Sequence, residues 1–293
     1  DEISRALKGS PNTEVKLLIK REGVEKPFEK VLIREEIKVK PVPYYGMLEN
    51  NIGYIKLTSF TENCGRDVAD ALKDLKAKNS LSGLVLDLRG NPGGLLNEAV
   101  NISNVFVARG KDIVSTKGRY KESDRTYKAI NEAVDSDLPL AVLVNSGSAS
   151  ASEIVSGSLQ DLDRAVIIGQ RTFGKGLVQT TRALSYNSQV KITTAKYYIP
   201  SGRCIQALDY SHRNEDGSVG KIPDSLVSEF KTSTGRKVYD GGGVNPDFTV
   251  SPKKLNPICN SLVNKNIIFD YASRYRTLHD SIPSGNFTLS EAD

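Results

Sequence analysis

Three side chains in this sequence could together perform covalent acyl chemistry: Ser150, Lys175 and Gln179. Ser150 follows an apolar run, Leu140-Ala-Val-Leu-Val144, and a turn of small residues, Asn145-Ser-Gly-Ser-Ala-Ser150, and it opens the helix-like stretch ASEIVSGSLQDL. A hydroxyl at the head of a helix has unpaired backbone N–H groups beside it, and the helix dipole adds to their hold on a developing oxyanion. Ser150-Ala-Ser-Glu153 is also a capping-box pattern, and Ser146, Ser148 and Ser152 are equally small and polar. The helix start alone therefore fits either a nucleophile or a cap. Lys175, set between Gly174 and Gly176 just after Phe173, shifts the balance. Partial shielding from water lowers a lysine pKa and leaves a neutral amine able to take the serine proton. Gln179 stands four residues on, an even interval that puts both side chains on one face of a strand and also suits a helix, so its amide could orient the amine.

Lys175 also completes a different pattern. Gly169-Gln-Arg-Thr-Phe-Gly-Lys175 matches a phosphate-binding P-loop up to its lysine. Gly176 then occupies the place of the metal-binding Ser or Thr, and the residues after it read as strand rather than phosphate-capping helix, which argues against a nucleotide. Gly90 to Gly94 likewise lacks the spacing of the dinucleotide fingerprint.

The elements that must position these residues alternate in type. The strand Ile52–Leu57 precedes a helix from about Cys64 to Lys78 with Val68, Leu72 and Leu75 on one face. A short apolar strand, Gly83–Arg89, breaks at Gly90-Asn-Pro-Gly-Gly94 and enters a helix with Ala99, Ile102, Val105 and Phe106 at helical spacing. The same unit recurs at Leu140–Leu162. Two strands that each end in a turn of small residues at a helix start imply a layered α/β core with backbone N–H sites for negative charge. Lys117–Asp137 reads as a polar surface excursion. Beyond Lys175 come strand-like runs at Leu177–Leu184 and Val190–Tyr198, a second polar excursion at about 206–240, and a tight turn, Gly241–Asp247, that rejoins the core at Phe248–Val250.

The expected organisation is a small β-rich module at 1–36, a proline-containing linker at 37–51, a core at 52–250 and a helical C-terminal extension at 251–293. Residues 1–36 read as a helix, a turn and the strands Glu14–Lys20 and Glu29–Arg34, too small a unit to hold a core alone. The opening DEISRALKG reads as mid-element, which points to sequence upstream of it.

Composition narrows the chemistry. The chain has 293 residues, 38% hydrophobic and 26% charged, within the range of soluble globular proteins. Its net charge of +5 is spread among acidic residues rather than gathered in a block, so nucleic acid is not implied. Cys64, Cys204 and Cys259 are far apart and form no CxxC or Cys/His cluster, so neither a disulfide framework nor a metal is expected, and no cofactor is implied. The two histidines, His212 and His279, lie in polar surroundings, and a serine hydrolase here must work without a nearby histidine unless the fold supplies one. No apolar run approaches the ~20 residues that span a bilayer.

The segments Leu84-Val-Leu-Asp-Leu-Arg-Gly-Asn-Pro-Gly-Gly94, Ser148-Ala-Ser-Ala-Ser-Glu153 and Thr172-Phe-Gly-Lys-Gly-Leu-Val-Gln179, in this order, resemble the carboxyl-terminal processing peptidases, or tail-specific proteases, of family S41. The opening residues resemble the C-terminal half of a PDZ domain, carried by Lys8, Gly9, Thr13, Val15, Leu17, Ile19, Arg21 and Gly23. The resemblance implies an α/β, ClpP/crotonase-like layered core with a partial PDZ module in front and a helical extension behind. It carries the roles of nucleophile, base and base-orienting residue onto Ser150, Lys175 and Gln179. It maps the oxyanion hole to the backbone N–H of Ala151 and of a glycine in the turn, either Gly93 or Gly94. The implied activity is that of a serine endopeptidase that cleaves protein substrates near the carboxyl terminus, with the substrate bound through that terminus. The implied location is the periplasm or cell envelope, with membrane association through upstream sequence. Two other readings are a catalytically silent or latent S41-like binding scaffold and a crotonase-type acyl-CoA enzyme. Neither role requires the set Ser150, Lys175 and Gln179.

Overall fold

The computed structural model describes residues 2–37, 39–252, 254–279, 281–282 and 288–289. The chain divides into two compact units, one drawn from the described residues of both ends and the other spanning residues 39–252. The first unit begins with a short helix, α1 (Glu2–Leu7), and the hairpin of β1 (Glu14–Ile19) and β2 (Phe28–Ile33), paired antiparallel from Glu14 opposite Ile33 to Ile19 opposite Phe28. Exposure alternates along β1, as a strand with one covered face requires.

The larger unit contains β3 (Tyr44–Met47), β4 (Ile52–Lys56), α2 (Cys64–Lys78), β5 (Gly83–Asp87), α3 (Leu96–Phe106), β6 (Asp112–Gly118), β7 (Arg125–Lys128), β8 (Leu140–Val144), α4 (Ala151–Asp161) and β9 (Val166–Gly169). It continues with β10 (Leu177–Ala183), β11 (Gln189–Tyr198), β12 (Leu208–Arg213), β13 (Val219–Lys221), β14 (Glu229–Lys231), β15 (Lys237–Tyr239) and β16 (Phe248–Thr249). The chain then returns to the first unit with α5 (Pro257–Asn264) and α6 (Ile267–Leu278). Asn256 caps α5, its side chain accepting from the Cys259 N–H at 2.8 Å, with Pro257 at the first helical position, where its missing N–H costs nothing.

Six strands form the main sheet in the order β16-β9-β8-β5-β4-β3, parallel except for the antiparallel edge strand β3. The central strands are apolar nearly without alternation because both faces are covered: four of the five residues of β5 are buried. A second sheet, β10-β11-β6-β7, is antiparallel throughout. Helix α2 turns Val68, Ala71, Leu72 and Leu75 inward and leaves its Asp and Lys residues outward. Helix α4 is buried along its whole length, and its Ser, Ala and Gly content permits the close approach. A Cβ at Gly157 would stand 2.7 Å from Ile199 Cδ1.

The two polar excursions are structured. Residues 117–137 contain β7, which pairs with β6, and residues 206–240 fold into the small hairpins β12-β13 and β14-β15. Their polarity reflects edge and surface positions rather than irregular chain. Because β5 and β8 are parallel neighbours, the turns that follow them emerge at the same edge of the sheet, where sites are commonly built in α/β folds. Asn145 Oδ1 joins these turns by accepting the N–H of Gly90 at 2.8 Å and of Gly147 at 3.0 Å.

Candidate active site

Three segments meet at the carboxyl edge of the sheet: the glycine turn after β5, the serine turn leading into α4, and the loop between β9 and β10. They enclose a cavity of about 370 Å³ whose walls include Gly93, Gly94, Ser150, Ala151, Lys175 and Gln179. All six residues singled out in the sequence thus face one space. Leu95, Leu96, Ile154, Leu177 and Val178 give it apolar walls, and Lys191 and Tyr197 of β11 complete it.

Ser150 is half-buried and holds a backbone conformation rare for a residue with a Cβ, φ 57° and ψ −113°. Such a conformation costs on the order of 1–3 kcal/mol and persists only where neighbours over-determine it. Here the Ser150 N–H donates to Glu153 Oε2 at 2.9 Å and the Ser150 carbonyl accepts the N–H of Glu153 and of Ile154. Two of the competing serines are excluded by burial. Ser148 donates its hydroxyl to Leu88 O at 2.8 Å and Ser152 to Asn91 O at 2.9 Å, so both stitch the serine turn to the glycine turn. Ser146 is exposed outside the cavity walls.

Lys175 is half-buried, and its backbone is held at both ends. Its N–H donates to Glu153 Oε2 at 2.8 Å and its carbonyl accepts the Tyr197 hydroxyl. The side chain is not tethered: among the described residues no hydrogen bond joins Lys175 Nζ to Ser150 Oγ or to Gln179. The expected alternation along a strand is not what brings Lys175 and Gln179 to the same cavity. β10 begins only at Leu177, and a bulge between Val178 and Gln179 breaks its register with β11. Neither histidine lines the cavity, and His212 is spent on a surface contact with Asp209.

The glycine turn presents its backbone in a defined way. Gly93 O accepts the Phe60 N–H at 3.2 Å, and Leu95 N donates to Phe60 O at 2.8 Å. A trans peptide points its C=O and N–H in opposite directions, so the Gly94 N–H faces away from Phe60. The Gly93 N–H is engaged with Asn91 Oδ1 at 2.9 Å. Among the described residues, neither the Gly94 N–H nor the Ala151 N–H has an intramolecular acceptor. Gly93 matters for a different reason. At φ +95° its missing side chain leaves room for the serine turn, since a Cβ there would lie 2.6 Å from Ala149 O, 2.8 Å from Ala151 N and 2.9 Å from Ser150 Cβ.

Beneath the turn, Asp87 is fully buried and accepts from Tyr54 Oη at 2.6 Å, Lys56 Nζ at 3.0 Å and the Arg89 side chain and N–H. Burial works against its charge, but the Arg89, Tyr54 and Lys56 donors hold the carboxyl well below the usual range. Burial and the bond to Asp87 push the Tyr54 phenol up to about 12.

The sequence profile of Peptidase family S41 matches residues 51–211. The chain belongs to peptidase family S41. It is 45% identical over 226 residues to a carboxy-terminal-processing protease of Bartonella bacilliformis, which covers 76% of this chain and 49% of that relative. It is 42% identical over 208 residues to a CtpA-like serine protease of Staphylococcus aureus, covering 70% of this chain and 40% of the other. Among solved structures it is similar to the photosystem II D1 C-terminal processing protease, with a TM-score of 0.55 and 29% identity over 88% of this chain and 62% of that one. The chain spans about half the length, or less, of these curated relatives.

In this S41 chain, sequence reasoning reached the cavity but not its support. Glu153 was legible as the last residue of a capping box and of the segment Ser148–Glu153, with no role of its own in the site. In the fold its fully buried carboxylate accepts four donors: Thr172 Oγ1 at 2.6 Å and Gly174 N at 2.7 Å on Oε1, and the N–H of Ser150 and of Lys175 on Oε2. Burial pushes the carboxyl up, and these four donors act the other way. Tyr197 carried no local signal at all. Burial, and then the charge of Glu153, raise its phenol well above the ordinary value, while the Ser150 hydroxyl acts in the opposite sense.

Proposed function

We propose that this S41 chain is a serine endopeptidase that cleaves protein substrates near the carboxyl terminus, with Ser150 as nucleophile, Lys175 as general base and Gln179 orienting the amine. The observation that carries the reading is the convergence of Ser150, Lys175, Gln179 and two unengaged backbone N–H groups, those of Ala151 and Gly94, on one cavity. A serine hydroxyl needs a base to become nucleophilic, and a lysine amine meets that need when it is neutral.

The scissile carbonyl enters with its oxygen toward the N–H groups of Ala151 and Gly94. The Lys175 side chain swings onto the Ser150 hydroxyl and takes its proton as Oγ attacks the carbonyl carbon. The tetrahedral oxyanion is held by the two N–H groups at the head of α4, where the helix dipole adds to them. The ammonium of Lys175 returns the proton to the leaving amine, and the acyl-enzyme is hydrolysed by water activated in the same way. The apolar walls Leu95, Leu96, Ile154 and Leu177 suit apolar side chains next to the cleaved bond.

The core is read as ClpP/crotonase-like, residues 1–36 as the C-terminal half of a PDZ domain and residues 251–293 as a helical extension. Exported action in the periplasm or cell envelope belongs to the same reading. Among the described residues no helix is long and apolar enough to cross a membrane. The test is hydrolysis of an unfolded protein with an apolar carboxyl terminus. The expected outcome is cleavage by the parent chain and loss in both Ser150→Ala and Lys175→Ala. Unchanged cleavage in both variants overturns the assignment.

A further inference from the structure

We infer that Lys191 is a specificity-determining residue that holds an acidic side chain of the substrate close to the cleaved bond, a role that rests on the proposed peptidase chemistry. The first ground is a charge pattern. Residues 164–208, which build the lysine loop and the β10-β11 hairpin, hold seven of the chain's 40 basic residues and none of its 35 acidic ones. These basic residues stand singly, so they form no charge run, yet without them the rest of the chain is slightly acidic. Among the described residues Arg203 alone of the seven forms an ion pair, with Asp161 at 2.8 Å, and Arg164 is spent on the carbonyls of Phe106 and Leu138. The other five, Lys191 among them, have no neutralising carboxylate among the described residues.

The second ground is position. Gln179 of β10 stands opposite Thr193 of β11, and Thr181 stands opposite Lys191. Lys191 and Gln179 are therefore diagonal neighbours on one face of the hairpin, and both line the cavity. The step from Thr193 to Lys191 advances about 7 Å along the strand, the length of two residues of an extended substrate. No acidic residue lines the cavity among the described residues, and Lys175 and Lys191 are the only basic ones that do. Lys175 must be neutral to serve as base. Lys191 is exposed, and no hydrogen bond or ion pair holds its side chain among the described residues, so it is available to a ligand.

The group that answers an uncompensated ammonium is a carboxylate, and a substrate offers it either on an Asp or Glu side chain or at its terminus. A terminal carboxylate is a single charge and needs a single cation. The uncompensated charge here extends over the lysine loop and both strands of the hairpin, which suits a segment with acidic side chains. The same arrangement repels Lys and Arg at that position, so it selects against basic segments as well as for acidic ones. The apolar walls nearer Ser150 then take the residues at the cleaved bond, and Lys191 takes an acidic residue farther along the hairpin.

The test uses the full chain and peptides amidated at the carboxyl end, alike except for Glu or Gln at one of the three residues on either side of the cleaved bond. The expected result for the parent is a kcat/KM about fivefold higher for Glu than for Gln at one of these positions, carried by KM, the scale of an exposed ion pair. Lys191→Gln brings that ratio to about one, Lys191→Glu inverts it, and Lys191→Arg, which keeps the charge, retains it. Raising NaCl to about 0.5 M shrinks the parent's ratio. Binding of the same peptides to Ser150→Ala, followed by fluorescence anisotropy, gives the ratio as Kd without turnover. A ratio of one in the parent at every position, or equal ratios in parent and Lys191→Gln, overturns the inference. Gln peptides with a free carboxyl terminus run in parallel, and a Lys191-dependent preference confined to them assigns the lysine to the terminus and overturns the role argued for it. Cleavage that persists unchanged in Ser150→Ala overturns the peptidase assignment instead, while the Kd ratio still decides the role of Lys191.

Discussion

Replacing Gly93 by alanine tests the site where its backbone geometry is tightest. The new Cβ would stand 2.6 Å from Ala149 O, 2.8 Å from Ala151 N and 2.9 Å from Ser150 Cβ, and all three are backbone or backbone-proximal atoms of the serine turn. Bringing the shortest of these to ordinary van der Waals contact needs roughly 0.8 Å of movement. The φ of +95° adds strain of about 1–2 kcal/mol for a residue with a Cβ. The atom pushed hardest alongside Ala149 O is the nitrogen proposed to hold the oxyanion. Loss of one such donor costs about 10²–10³ in kcat. The expected outcome for Gly93→Ala is therefore a kcat lower by at least 100-fold in a folded protein, measured on a peptide substrate with melting followed in parallel. Gly90→Ala is the matched control: its φ is +71°, but a Cβ there meets nothing within 4 Å. It should lose on the order of 1 kcal/mol of stability from backbone strain alone and keep its kcat. A Gly93→Ala enzyme within threefold of the parent, or equal kcat losses in the two variants, would refute the reasoning.

Other expectations concern stability. Burial opposes ionisation of Asp163, but Arg236 and the Thr234 N–H hold its carboxyl down to about 2. A depressed folded-state pKa stabilises above the unfolded value and is lost as pH falls from about 4 toward 2. The pair is thus worth on the order of 2 kcal/mol at neutral pH, less some solvent screening at the exposed Arg236. Asp163→Asn keeps a residue that tolerates the φ of 52° there, so it should be less stable at pH 7, with the difference shrinking below pH 4. Parallel stability curves in urea titrations at pH 7 and pH 3 would sink this account. Leu86, fully buried in the middle of β5, should lose about 3 kcal/mol on truncation to alanine, seen as a fall in Tm of roughly 6–12 °C. A fall below 2 °C would mean that the site collapses around the missing side chain.

Much of the core was legible because its signals are local. The helix Cys64–Lys78, the doubly covered strand at Gly83 and the strand-like runs after Lys175 follow from apolar periodicity, which depends on neighbours within one or two turns. The same applies to Ser150 at a helix head and to the glycine turn. At 117–137 and 206–240 polarity marked surface excursions but not the strands within them, because edge and surface strands share the composition of a loop. Lys175 and Gln179 share the cavity as their interval suggested, but not by strand alternation, because the bulge that intervenes depends on the partner strand and leaves no mark in the residue order.

What the sequence determined by itself was which residues could react and in which short motifs they lie. Which of them can act was decided in the fold. Ser148 and Ser152 were removed from the choice of nucleophile by carbonyls more than fifty positions away. Phe60 orients the Gly94 N–H and Asn91 occupies that of Gly93, which favours Gly94 in the proposed oxyanion hole. Glu153 became the brace between Ser150 and Lys175 only when β9 returned the lysine loop to the head of α4. Residue order encodes chemistry over a few bonds, whereas a hydrogen-bond partner is set by distance in space, and the sheet that brings these turns together is long-range.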